Sequence, residues 1–227
     1  MEVKKAWCFF EQSGTFRDKF RELGIEAVDC DIQNEYGKTD YQIDLFKEIQ
    51  KAHKGEKSIF DKIDKDDLIF AFFPCIRFTQ MAELFFKQLG KQYYNKSEYE
   101  KISTAMQAEH ERKDLFILFS KMVQVCMQKK LKIIIENPYS TNHYLVQYFP
   151  IKAKLIDMDR RERGDYFKKP TQYWFINCEP SYNIDALFKE KIVQRMTKRI
   201  NDLPFGSKER SEISPEYAKQ FIKEFIL

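Results

Sequence analysis

The chain has 227 residues, with 39 Lys and Arg against 35 Asp and Glu, a net charge of +4. An apolar share of 43% with 33% charge fits a soluble globular chain, and seven Gly with seven Pro leave little room for low-complexity linkers. So slight a positive balance permits nucleic-acid binding without demanding it. The length suits one sizeable core, and the expectation is a single domain over 1–227.

Met1 to Lys5 leads into only about five apolar residues, too few for a signal-peptide core. The longest apolar run, Leu68 to Ile76, is about half of a membrane span. Five cysteines occur, with no CxxC and no Cys/His spacing suited to zinc. These features predict a cytoplasmic, reduced protein with no metal and no membrane partner.

In chain order, Ala6–Phe10 reads as a first strand. It runs into Glu11, Gln12, Ser13, Gly14 and Thr15, and then a helical segment, Arg17 to Leu23, that Gly24 stops. A strand, small-residue turn and helix place backbone N–H groups where a carboxylate-bearing cofactor can sit. With one glycine instead of three, the dinucleotide fingerprint is not met. Ile25–Cys30 reads as a second strand with Asp31 at its end, an acid placed as ribose acceptors often are. Tyr41–Asp44 reads as a third, also ending in an acid, and Leu45–His53 as a helix.

Leu68–Phe73 is a continuous apolar run that stops at Pro74, so a buried strand displays Cys75 at its carboxyl end. Taken alone, that thiol reads equally as a small buried hydrophobe. The following stretch is basic and aromatic, with Arg77, Lys87, Lys91, Tyr93, Tyr94 and Lys96, and suits either a loop closing over the site or a solvated face. Ser97–Lys130 has helical periodicity, with Met122 and Met127 expected in the core.

Lys132–Asn137 is a second buried strand stopped by a proline, Pro138, with Glu136 where the earlier strand carries its cysteine. A glutamate closing three isoleucines is expected to be desolvated, with a raised pKa suited to proton donation. Ala153–Asp157 reads as a short strand. The charge run Asp159–Arg163 reads as solvated, or as arginines placed to grip phosphates. Gln172–Asn177 is rich in β-formers, 184–200 reads as helical, and Ser214 with Pro215 opens an amphipathic helix from Glu216 to Ile226. Strands alternating with helices predict an α/β fold with a doubly wound, mostly parallel sheet of about seven strands and helices on both faces.

The order Phe-x-x-Ser-Gly-Thr-Phe, acidic strand ends, Pro74-Cys75, Glu136-Asn137-Pro138, Lys-Pro-Thr and Gly-Ser-Lys-Glu-Arg-Ser resembles the DNA cytosine-5 methyltransferases, in the short form common in phages and prophages. The matches run from Phe10 to the carboxyl terminus. The resemblance implies a Rossmann-like methyltransferase fold, S-adenosylmethionine as cofactor, DNA as partner and a bacterial or phage-infected cell as setting. It implies that Phe10 lies against the adenine and Glu11–Thr15 hold the methionine part. Asp31 with Ile32 would meet the ribose, Asp44 with Leu45 the adenine, and Pro74 would border the cofactor. It implies Cys75 as nucleophile, Glu136 as the acid at cytosine N3, and Asn137 as the residue fixing the loop. Arg77, Pro138, Lys169, Thr171 and Gln172 would approach the DNA substrate.

The sequence departs from the family in four places, one of them Ile76-Arg77-Phe78-Thr79 after Cys75, where small polar residues are usual. Gln12 stands where glycine is usual. The family's arginine pair after the sixth motif is not evident. A target-recognition region, 178–205, is reduced or absent, at about 30 residues against the roughly 50 an independent domain needs. Specificity could then come from a partner protein. Two alternatives stay open: a catalytically silent relative that binds DNA or nucleotide, and methyl transfer to a non-DNA pyrimidine.

Overall fold

The computed structural model describes residues 1–79, 82, 83, 86, 90–183 and 212–227. Seven strands form one sheet: β1 (Lys5–Phe9), β2 (Glu26–Asp31), β3 (Tyr41–Gln42), β4 (Leu68–Phe72), β5 (Lys132–Pro138), β6 (Leu155–Asp157) and β7 (Thr171–Ile176). Their spatial order is β3-β2-β1-β4-β5-β7-β6. Every pairing from β3 to β5 is parallel, while β7 runs antiparallel to both β5 and β6. This is the doubly wound order 3-2-1-4-5-6 with one reversed strand inserted before β6. The predicted α/β class and mostly parallel seven-stranded sheet are what the chain adopts.

The sheet is buried on both faces because both parities of each strand are apolar. On one face Trp7, Phe9, Ile69, Ala71, Ile133, Ile135 and Trp174 pack under α2 (Leu45–His53) and α3 (Glu98–Lys129). On the other, Ala6, Cys8, Leu68, Phe70, Ile134, Tyr173 and Phe175 pack under α1 (Thr15–Glu22) and the carboxyl-terminal helix. Continuous apolar runs are what such two-sided burial requires. A short helix, α4 (Tyr144–Tyr148), follows β5, and the last helix, α5 (Pro215–Phe221), continues to Ile226 with wider turns.

Local signals fix the ends. Ser97 caps α3 by accepting from Glu100 N–H, and Glu100 reaches back to Ser97 N–H, a capping box. Ser214 caps α5 with Pro215 at its first position, as expected. Asp44 lies beyond β3, which stops at Gln42, and instead caps α2 by accepting from Lys47 N–H at 3.2 Å. Met122 is fully buried, but Met127 is 44% exposed, so the expectation that both are core holds only for the first. All five cysteines are free. Among the described residues no helix is long and apolar enough to cross a membrane, and no group of three or more His, Cys, Asp or Glu stands together as a metal site. Lys87, the helix expected over 184–200, most of the region 178–205 and the motif from Gly206 to Ser211 lie outside the described residues.

Candidate active site

The parallel strands β1, β2, β4 and β5 end on one rim, and a cleft of about 890 Å³ opens there. In such sheets this carboxyl edge is where ligands sit. Phe10, Glu11, Gln12, Ser13 and Thr15 line it from the β1–α1 turn, Asp31 and Ile32 from the end of β2, and Asp44 and Leu45 from the start of α2. Pro74 and Cys75 line it from beyond β4, with Glu136 from β5 and Lys169 from the turn before β7. The sequence had singled out each of these.

The β1–α1 turn is held by its own side chains. Phe10 has a left-handed φ of 59°, rare for a large residue, and its ring packs 5.5 Å from that of Phe73. Glu11 is 5% exposed and accepts from Phe16 N–H at 2.7 Å and Arg17 N–H at 3.2 Å. The helix amino end expected to receive a cofactor carboxylate is therefore filled by a carboxylate of the chain itself. Burial dominates over those two hydrogen bonds and pushes the Glu11 pKa up to about 7. Gly14, at φ 71°, lies against the Arg17 guanidinium, and a Cβ there would stand 2.5 Å from Arg17 Nη2. Gln12 bonds Gln33 and Glu35 N–H, at 2.8 and 3.1 Å, so it straps this turn to the β2–β3 loop.

Cys75 and Glu136 come from neighbouring strands. The parallel register sets Phe72 beside Glu136, and the chain reaches Cys75 three residues later. Burial pushes the Cys75 thiol up, the Glu136 charge adds to that, and Lys169 pulls it down. Glu136 is 7% exposed, and its Oε1 makes no hydrogen bond among the described residues. The charge facing it is the Arg160 guanidinium, fully buried, with Nη1 3.8 Å from Glu136 Oε1. Arg160 also pairs with Asp165 at 2.5 Å and lies 4.4 Å over the Tyr217 ring.

The charge run 159–163 is thus not a solvated stretch. Arg160 serves Glu136 and Asp165, while Arg163 pairs with Asp157 at 3.2 Å and with Glu224 at 2.8 and 2.9 Å. A run of charges carries no sign of which members turn inward, so the sequence hid Arg160 from view.

The remaining expected residues lie outside the cleft. Asn137 is fully buried, donating to Phe73 C=O and Glu136 C=O. Thr171 and Gln172 are buried inside β7, bonding Lys169 C=O and Pro138 C=O, so their side chains hold the sheet edge together. Pro138 ends β5 opposite Thr171. Arg77 is clamped to Glu111 of α3 at 2.7 Å and lines a second, smaller cavity of about 310 Å³. Tyr36, Lys38, Tyr166 and Glu212 line the cleft without having been singled out. They sit in irregular segments, where no periodicity marks them.

A scan of protein-family models and a search of curated proteins each gave no match to this chain.

Proposed function

We propose that the protein is an S-adenosylmethionine-dependent methyltransferase acting at C5 of cytosine in DNA. The observation that carries this reading is the pairing of a thiol, Cys75, and a buried carboxylate oxygen with no hydrogen bond among the described residues, Glu136 Oε1, in one cleft with a mostly acidic lining. Among the described residues, Glu11, Asp31, Asp44, Glu136 and Glu212 line that cleft against only Lys38 and Lys169. Such a lining suits a cofactor bearing a sulfonium and an ammonium, and disfavours an anionic dinucleotide.

The residues fit that cofactor with two changes from the family pattern, Gln12 in the β1–α1 turn and the filled amino end of α1. Glu11 blocks the helix amino end, so its carboxylate would face the ammonium and the cofactor carboxylate would lie elsewhere. Asp31 and Asp44 would take the ribose and adenine, with Phe10 beside the ring. When bound, S-adenosylmethionine supplies the electrophilic methyl group.

The chain's own groups do the rest. Cytosine C5 is a poor nucleophile. Addition of the Cys75 thiolate at C6 forms the C–S bond and moves the ring's double-bond electron pair to C5. Glu136 donates a proton, or a hydrogen bond, to N3 and so offsets the charge that addition creates. After C5 takes the methyl group, a water takes its proton, the C–H electron pair re-forms the C5–C6 double bond, the C6–S pair leaves with the Cys75 thiolate, and N3 returns its proton to Glu136. The base must be everted from the helix to reach the thiol, at a few kcal/mol. A cationic cofactor beside the thiol would favour the thiolate, so the nucleophile is armed in the assembled site.

Covalent trapping tests the reading. A random-sequence duplex carrying 5-fluorodeoxycytidine, incubated with protein and S-adenosylmethionine, should give an adduct at Cys75, because fluorine cannot leave as the C5 proton does. Replacing Cys75 by Ser should abolish it. No adduct, with cofactor binding measured separately, would turn the reading to the silent relative, which the self-filled α1 terminus and Gln12 favour. An adduct with free deoxycytidine nucleotides or RNA alone would turn it to a non-DNA substrate.

A further inference from the structure

The longest helix rises past the sheet over its first turns. Leu115 of α3 lines the cleft at the rim, so the stretch from Glu98 to Asp114 extends about 25 Å beyond that level. Its inner side is held: Ala108 is buried, Arg77 is clamped to Glu111, and Lys96 Nζ donates to Thr104 Oγ1 at 2.7 Å. Its outer side is apolar as well. Tyr99, Ile102 and Met106 are 80%, 61% and 56% exposed, and their spacing of three and four sets them on one stripe. His110, Lys113 and Ile117, all exposed, continue the same stripe. Single exposed apolar residues are ordinary, but a run of three on the face opposite a packed one is the mark of a helix covered on both sides.

We propose that α3 pairs antiparallel with α3 of a second copy of this chain along that stripe. A two-fold pair must be self-complementary, and this stripe is. With Met106 on the axis, Ile102 faces His110 of the second copy and Tyr99 faces its Lys113, so stripe residues meet stripe residues throughout. The Lys113 ammonium then lies over the Tyr99 ring, within reach of the Glu98 carboxylate, and both contacts occur twice. Parallel pairing would instead set Lys113 against Lys113 and His110 against His110. A large side chain offers on the order of 200 Å² when fully exposed, so the stripe presents several hundred Å² per copy, close to the roughly 800 Å² a standard interface takes from each partner. The six stripe residues lie outside the lining of the cleft, so substitutions there test assembly alone.

The test reads mass and register separately. Light scattering on the wild-type chain should give twice its 27.4 kDa at high concentration, falling toward one mass on dilution. Met106→Asp places two carboxylates on the axis and should weaken the dimer by about tenfold or more, with an unchanged far-UV circular dichroism spectrum. Met106→Cys under mild copper-phenanthroline oxidation should give a disulfide-linked dimer, because the two thiols meet at the axis. Gln124→Cys, exposed on the same face but beyond the paired stretch, should give no more cross-link than wild type. A wild type of one chain mass at every soluble concentration would overturn the pairing and leave the stripe to another partner. A dimer that Met106→Asp does not weaken would place the contact on a different surface. Equal cross-linking of Met106→Cys and Gln124→Cys would overturn the register as chance collision.

Discussion

Asn137 Nδ2 donates to the Phe73 carbonyl at 2.7 Å, tying the strand end that bears Glu136 to the one that leads into Cys75. The bond is wholly buried, and a second one runs from the same nitrogen to Glu136 C=O at 3.1 Å. Asn137→Ala leaves the Phe73 carbonyl without this donor, so it should destabilise the protein by about 1–3 kcal/mol in urea unfolding. It should also reduce adduct formation beyond what the remaining folded fraction explains. A variant of unchanged stability would mean that the two strand ends are held together by other means.

The charges around Cys75 make a prediction that needs no substrate. Burial is the largest cause of its raised pKa, Glu136 raises it further and Lys169 lowers it. Glu136→Gln should therefore shift the pH profile of Cys75 alkylation downward, and Lys169→Met should shift it upward. The profile is read as the rate of iodoacetamide labelling mapped to Cys75 by mass. Cys8, Cys30 and Cys126 are buried and should label slowly. An upward shift in Glu136→Gln would place the carboxylate away from the thiol.

Two buried groups give opposite pH slopes to stability. Burial lowers His143 from 6.5 to about 4, so the folded protein refuses a proton that the unfolded chain accepts. Its stabilising effect is full above pH 6.5 and falls as pH drops toward 4, by up to about 3 kcal/mol. Glu11 is raised from 4.5 to about 7, so the folded protein keeps a proton that the unfolded chain gives up. Its effect is full below pH 4.5 and is lost as pH rises through 7, by a similar amount. The two nearly cancel across their shared window. His143→Asn should unmask stability that rises, relative to wild type, on acidification. Glu11→Gln should unmask stability that falls. Urea midpoints at several pH values read both, and parallel profiles for all three proteins would sink the assignment.

The sheet and most of the cleft were legible in the sequence because they rest on local patterns. Two apolar runs, each stopped by a proline, marked β4 and β5, and the parallel register then brought Cys75 and Glu136 to one rim. The acids expected at strand ends likewise gave Asp31, which closes β2, and Asp44, which lies two residues beyond β3. What stayed hidden depends on pairing between distant segments. Glu11 reads as an open loop residue until α1 folds back and offers it two N–H groups. Thr171 and Gln172 read as a substrate edge until β7 is seen to pair antiparallel with β5, which buries both. Arg160 sits in a run of charges whose neighbours bind carboxylates along 157–165 and 224.

Arg160 yields the final prediction. It is fully buried between Asp165, Glu136 and the Tyr217 ring, and Asp165 also accepts from Ser214 N–H at 3.0 Å at the cap of α5. One guanidinium thus joins the proposed acid to the seating of the last helix. Arg160→Met strands two carboxylates without their buried cation and should cost about 3–5 kcal/mol, because an uncompensated buried charge costs more than the pair contributes. Adding Asp165→Asn removes one of those charges and should restore part of the loss, giving a favourable coupling of about 1–3 kcal/mol in a double-mutant cycle. The same double variant still lacks the cation beside Glu136, so stability should recover while adduct formation at Cys75 does not. Recovery of both together would reduce Arg160 to a purely structural ion pair, and recovery of neither would place the loss in the packing against Tyr217.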